Sequence, residues 1–165
     1  MTRDTIDPDD DPRWKLLDAA RDRLAAARNF DDIVSVVRST ARSVTSADGV
    51  TFVLRDGDKC HYIEEDAVGP LWKGQKFPLS ACISGWCMLN GETAAISDIY
   101  ADPRIPHDAY RPTFVKSLVM TPVGRHDARA AIGSYWRDRR MFTAREIAAI
   151  KTLADSVAEA MARLG

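Results

Sequence analysis

The residues best equipped for chemistry crowd into SDIYADPRIPHDAYRP, residues 97–112, where three prolines, three aspartates, two arginines, two tyrosines and a histidine share sixteen positions. Arg104, Arg111 and His107 could meet an anionic group, and Tyr100 and Tyr110 could stack on a ligand or donate a hydrogen bond. Asp98 and Asp102 could instead cap turns or pair with the two arginines. Pro103, Pro106 and Pro112 each lack an N–H donor and fix their own φ, which forbids a continuous helix or a central strand. A stiff loop is therefore expected. Such loops commonly carry binding sites on a packed scaffold, and the same composition also suits a solvated connection whose prolines limit unfolded-state entropy.

The nucleophiles and metal ligands are more scattered. Cys60, Cys82 and Cys87 are an odd number in a sequence without an export signal, so they are expected as reduced, small, partly buried residues. Cys60 and His61 adjoin in sequence, but neighbours on a strand point to opposite faces and cannot form a dyad. His61, His107 and His126 fall on separate elements, and no Cys-x-x-Cys, His-x-x-x-His or Gly-x-Gly-x-x-Gly occurs. With no histidine placed to activate them, the cysteines are expected to be non-catalytic, and neither a metal nor a cofactor is expected.

A formal net charge of -1 and a pI near 6.3 argue against nucleic acid as a partner. The acidic start MTRDTIDPDDDP has no apolar core of a signal peptide, and no apolar run approaches the ~18 residues of a membrane span, so a cytoplasmic location is expected. Residues 1–10 read as a disordered acidic tail and 11–165 as one domain, long enough to bury roughly 70% of the surface its unfolded chain would expose.

The elements that must position these residues follow from periodicity. Asp11-Pro12 starts a helix with Trp14, Leu17, Ala20, Leu24 and Ala27 on one side, and Asn29 caps a second with Ile33, Val36, Val37, Ala41 and Val44. Two β-rich runs joined at Asp56-Gly57 predict a hairpin in which Phe52 lies opposite His61 and Val53 opposite Cys60. A short strand near 76–79 leads to a short helix, 83–89, capped by Ser80 or Ser84; TAAIS, FVKSLVMTPV and ARAAIGSYW are further strands. Leu118, Val119 and Met120 are apolar on both alternations, so their strand should be covered on both faces. Thr143 and Glu146 form a capping box for a helix over 144–164, whose Ile147, Ile150, Ala154, Val157, Met161 and Leu164 repeat with the 3.5-residue period of a coiled-coil seam. Two and a half heptads are short for an independent coiled coil, so packing on the parent sheet accounts for part of that stripe. With Leu153 as a second line of contact, the helix is expected to pack on the sheet and to hold a dimer together with the N-terminal helices.

In this order the elements resemble a GAF domain over roughly residues 14–164. The stretches ISGWCMLNGETAAISDIYADPRIP, YRPTFVKSLVMTPV and AAIGSYW are similar to the GAF domains of bacterial sensor histidine kinases. The resemblance implies an α+β fold, with a central antiparallel sheet, the N- and C-terminal helices on one face, and the short helix and loops over a ligand pocket on the other. Matched by position, the pocket would be lined by Ile83, Trp86, Cys87, Asp98, Ile99, Tyr100, Asp102, Arg104, His107, Tyr110, Arg111, Phe114, Leu118 and Met120. It implies a non-catalytic sensory module that binds an unknown small molecule, forms a homodimer and signals to a histidine kinase or another protein.

Other GAF chemistries fit less well. Bilin-binding members attach chromophore through a cysteine just before the strand matched by VKSLVMTPV, and HDAYRPTF has none. The cyclic-nucleotide signature has no counterpart. Free methionine-(R)-sulfoxide reductases need cysteines around the pocket; Cys87 falls near one such position and Cys82 five residues away, without the family's surrounding pattern. That enzyme and a ligand-free dimer scaffold are the alternative readings.

Overall fold

The computed structural model describes residues 11–165; the expected acidic tail lies outside the described residues. Asp11 accepts a hydrogen bond from Arg13 N and Pro12 takes the first helical position, starting α1 (Pro12–Ala25). Asn29 accepts from Asp32 N at 2.9 Å to cap α2 (Phe30–Thr45), where Asp31 and Asp32 also meet the positive end of the helix. There follow β1 (Gly49–Asp56), β2 (Lys59–Ala67), β3 (Lys76–Pro78), α3 (Ile83–Asn90), β4 (Ala94–Ile96), the single turn α4 (His107–Tyr110), β5 (Ser117–Val123), β6 (Ala130–Trp136) and α5 (Ala144–Leu164). The six strands form one antiparallel sheet in the order β3-β2-β1-β6-β5-β4.

The hairpin differs from the sequence expectation. Gly57, at φ 61°, and Asp58 form its loop, so Asp56 pairs with Lys59, Leu54 with His61 and Val53 with Tyr62. Glycine tolerates this torsion, which places it first in the turn instead of second. Moving the loop by one residue shifts the register by two, so every side chain keeps its face. Cys60 accordingly packs on the side opposite the one on which Leu54, His61's partner, packs. A bulge then follows, because Phe52 lies opposite Glu64 and Ile63 is the extra residue.

Helices α1, α2 and α5 cover one face of the sheet with Leu17, Leu24, Ile33, Val37, Leu153 and Val157 against Phe52, Val119 and Ile132. Helix α3, the 97–112 loop and the 68–75 segment cover the other, where Leu118 and Met120 point. Strand β5 is buried throughout, as its double alternation requires. The capping box closes α5 in both directions, Glu146 N to Thr143 Oγ1 at 3.1 Å and Thr143 N to Glu146 Oε1 at 2.9 Å. Its 3.5-period stripe is divided: Ile150, Ala154 and Val157 are buried within the single chain, whereas Ile147, Met161 and Leu164 are half-buried. Each fully buried aliphatic side chain there contributes about 1.5–3 kcal/mol.

Candidate ligand site

The loop-covered face is organised by Glu65. The bulge at Ile63 leaves Glu64 and Glu65 on opposite sides of β2. Glu64 pairs with Lys73 and with Arg38 of α2; burial works against its charge, but the Lys73 ammonium, the Glu65 N–H and Arg38 together hold its carboxyl below the usual range. Glu65 accepts hydrogen bonds from Leu71 N and Trp72 N at 3.0 Å and from Lys73 N at 2.9 Å. Three N–H groups on one carboxylate fold the 68–75 turn back over the sheet and drop Trp72 onto it. The indole Nε1 then donates to Ala109 O at 3.1 Å, fastening the 97–112 loop.

Around Trp72 the interior is filled by rings. Tyr110 lies 4.7 Å from the indole, Tyr135 5.5 Å and Tyr62 5.6 Å between centroids. Tyr135 folds back over its own strand because Gly133 has no side chain: a Cβ there would stand 2.3 Å from the Tyr135 hydroxyl. That hydroxyl shares a hydrogen bond of 2.8 Å with Thr51 Oγ1, and Tyr62 shares one of 3.0 Å with Ser84 Oγ. Burial raises the pKa of all three tyrosines, so they stay neutral. The void left among Tyr62, Trp72, Phe77, Cys82 and Tyr110 is about 10 Å³, too small for a metabolite.

The residues singled out from sequence therefore divide into three groups. Tyr110, Cys87, Leu118 and Met120 are buried packing on this wall, and Phe114 is half-buried over Gly49. The Cys87 thiol is pushed up to about 12, above all by burial, and donates to Met120 O at 3.4 Å. Asp98, Tyr100, Asp102, Arg104, His107 and Trp86 form the rim. Arg111 stands apart on the surface, paired with Asp108.

The rim is tightly bonded. Asp98 caps the 99–101 turn through Tyr100 N at 3.1 Å and pairs with Arg139. Asp102 accepts from Arg104 N at 2.9 Å, Nε at 3.1 Å and Nη2 at 2.7 Å, and the guanidinium holds its carboxyl below the usual range. This fork lays Arg104 flat over the Trp86 ring, 4.4 Å from its centroid. His107 bonds Asp102 O through Nε2 at 3.1 Å and meets the Tyr100 ring edge-on. Between α3 and residues 103–106 runs an open groove of about 340 Å³, lined by Cys82, Trp86, Leu89, Asn90, Arg104 and Pro106.

Sequence reasoning missed Glu65, Trp72, Tyr62 and Tyr135. Trp72 sits in GPLWKGQ, a stretch whose turn residues were legible, and a lone tryptophan among turn formers was the available signal. The cap of α3 is Cys82 and not either serine, because Ser84 is already inside the helix with its hydroxyl turned to Tyr62 and Cys82.

An antiparallel sheet with terminal helices on one face and loop-built walls on the other defines an α+β domain of the GAF architecture. The family model of the GAF domain matches residues 27–162, and the chain belongs to that family. The GAF domain of an Acinetobacter phosphoenolpyruvate-protein phosphotransferase superimposes with a TM-score of 0.77 at 13% identity, covering 93% of this chain and 94% of that one. The Neisseria meningitidis free methionine-R-sulfoxide reductase, solved with its substrate, gives 0.78 at 13% identity over 92% and 89%. A phycoerythrobilin-bound GAF domain of a cyanobacterial phytochrome gives 0.75 at 18% identity over 92% and 95%. At these identities the likeness is one of fold. No curated protein sequence matches the chain. No helix among the described residues is long and apolar enough to cross a membrane.

Proposed function

We propose that this domain is a non-catalytic sensory module that binds a small molecule at the loop-covered face and passes the event to a signalling partner through its helical layer, as a cytoplasmic homodimer. The observation that carries it is the Asp102–Arg104–Trp86 stack beside an open groove of about 340 Å³. A guanidinium held flat on an indole offers its remaining N–H groups to an anionic acceptor, while the ring edge and Pro106 suit a flat or apolar body. Tyr100 and His107 extend the same rim, and Tyr110 and Trp72 are the rings that would swing if a larger ligand entered the wall. Phosphotransferase and phytochrome GAF domains share the fold, which supports the sensory reading.

The dimer surface is supported by an apolar groove at the free end of the helical layer, lined by Phe30, Ile33, Leu54, Met161 and Leu164. Against the reductase alternative stands Cys87, the cysteine nearest the family's position: it is fully buried, its thiol is raised, and its hydrogen bond ends on a strand carbonyl.

Native mass spectrometry of the purified protein, followed by hydrogen exchange on 98–111 with and without the carried molecule, tests the reading. A bound metabolite should slow exchange across the loop, and Arg104→Ala should weaken its binding about tenfold, the value of one charge-assisted hydrogen bond. Equal exchange in both states and unchanged affinity in Arg104→Ala would leave the loop a structural connection and favour a ligand-free dimer scaffold.

A further inference from the structure

All three cysteines are buried on the loop-covered face, but they are not equivalent. Cys60 of β2 and Cys82 at the start of α3 bring their sulfurs to 3.0 Å, while Cys87 turns away to Met120 O. A disulfide needs about 2.05 Å between sulfurs, so side-chain adjustment of the order of an ångström would close the bond. Ser84 Oγ, itself bonded to the Tyr62 hydroxyl, donates to Cys82 Sγ at 3.3 Å. Cys82 also lines the open groove between α3 and residues 103–106, whereas Cys60 lies entirely behind it.

We propose that Cys60 and Cys82 are a reversible redox pair, in which Cys82 reacts with a hydroperoxide entering by the groove and Cys60 converts the product to an intramolecular disulfide. Nothing in the sequence pattern marks the pair, because the two residues are far apart in the chain and share no motif. Their meeting follows from the short β2–β3 pairing, which sets Cys60 against Phe77, and from the turn at 79–81 that brings the chain back.

Electrostatics divide the roles in the same way. The hydrogen bond between the thiols lowers the pKa of Cys82 and raises that of Cys60; burial opposes the charge on Cys82, and the Ser84 hydroxyl and the N–H groups of Gly85 and Ser84 favour it. Cys82 is thus the more acidic thiol of the pair and the one whose thiolate attacks, and Cys60 is the one that holds its proton more tightly. The Cys82 thiolate attacks one peroxide oxygen and breaks the O–O bond; the leaving alkoxide or hydroxide takes a proton from water, and Cys82 becomes a sulfenic acid. The Cys60 sulfur then attacks the sulfenyl sulfur and expels hydroxide, which leaves as water with the Cys60 proton. Two thiols are oxidised by two electrons and one peroxide is reduced. A small thiol or a dithiol protein restores the pair by exchange. The event is a stoichiometric modification that ties β2 to the first turn of α3, at the wall of the proposed ligand groove.

The test begins with the unaltered protein. Hydrogen peroxide should remove two hydrogens from its intact mass, and peptide mapping after thiol blocking should find Cys60 joined to Cys82 within one chain, reversed by dithiothreitol. Alkylation of the reduced, folded protein by iodoacetamide should reach Cys82 at least about tenfold faster than Cys87. Cys60→Ala should stop at a sulfenic acid on Cys82 that dimedone traps, Cys82→Ala should form no disulfide, and Cys87→Ala should behave as wild type. The two wild-type measurements hold whether or not Cys60→Ala folds. Equal alkylation of Cys82 and Cys87, a bridge to Cys87 or between chains, or wild-type oxidation that halts at the sulfenic acid would each overturn the proposal.

Discussion

The two faces of the sheet are built from different chemistry. Under α1, α2 and α5 the packing is chiefly aliphatic, with Leu17, Leu24, Ile33, Val37, Leu153 and Val157 meeting Phe52 and Ile132. All four tyrosines and all three cysteines lie on the other face, with Trp72 at their centre. The first face is held by non-directional burial spread over three amphipathic helices, so it should yield only with the whole fold. The second is fastened by a few directional bonds, from Glu65 to three N–H groups, from Trp72 to Ala109 and from Tyr135 to Thr51, so it can loosen one fastening at a time. The ligand site proposed above draws on that asymmetry, because the loop-covered face can open while the helical scaffold holds.

The largest break in the comparison is expected on the helical side. Leu153→Ala should cost about 3 kcal/mol of global stability by leaving a cavity among α1, α2 and the sheet. That corresponds to a melting temperature lower by about 6–12 °C for a chain of this size, read by calorimetry. A loss below about 1 kcal/mol would mean that this face is not the cooperative one. Val157→Glu should likewise unfold the chain instead of producing a folded monomer, because Val157 is already covered without a partner.

On the other face Gly133→Ala should cost about 2 kcal/mol, since the new methyl displaces the Tyr135 ring and the Met120 tip. Near-ultraviolet circular dichroism should change as Tyr135 leaves Trp72, with the far-ultraviolet spectrum intact. An unchanged near-ultraviolet spectrum would show that the ring does not depend on that glycine.

Glu65→Gln isolates the fastening of the 68–75 segment. The carboxamide puts an NH₂ where one carboxylate oxygen accepts, so at least one N–H of 71–73 loses its partner. Exchange of those amides should rise about tenfold, equivalent to ~1.4 kcal/mol locally, while α5 amides keep their protection. Parallel loss in α5 would mean that the two faces open together.

The smallest effect is electrostatic. Arg104 holds the Asp102 pKa below its unfolded value of about 3.9, so the pair's contribution is complete above that pH and is lost as pH falls through the folded value. Both groups touch solvent, so the contribution is about 0.5 kcal/mol. The Trp86 indole N–H chemical shift should follow this acid titration as Arg104 leaves the ring, and Asp102→Asn should abolish the step.

Most of the fold was legible because it is locally encoded. Asp11-Pro12, Asn29 and the Thr143–Glu146 box start their helices through bonds within a few residues, and the double alternation of Leu118, Val119 and Met120 states two covered faces without reference to anything distant. The hairpin loop lies one residue later than the sequence pattern places it, because Asp56-Gly57 and Gly57-Asp58 are both good turn pairs and only the pairing of whole strands chooses between them. The stripe on α5 is ambiguous for a similar reason: a 3.5-residue repeat records that a helix face is covered, not whether a sheet, a second chain or both in succession cover it.

Of the candidate site, the sequence by itself determined the chemistry available: a proline-stiffened loop with Asp102, Arg104 and His107, and a short helix with Trp86 and Cys87. Tertiary structure alone decided which of these meet. Arg104 reached Trp86 because Asp102 aims it, Arg111 went to solvent, and Trp72 filled the interior because a carboxylate six to eight residues earlier gathered three N–H groups. Cys60 and Cys82 became neighbours through strand pairing and a turn. Caps and periodicity act over one or two turns of chain and are written in adjacent letters, whereas side-chain bonds across the sheet depend on register, bulge and burial, which exist only once the whole chain has packed.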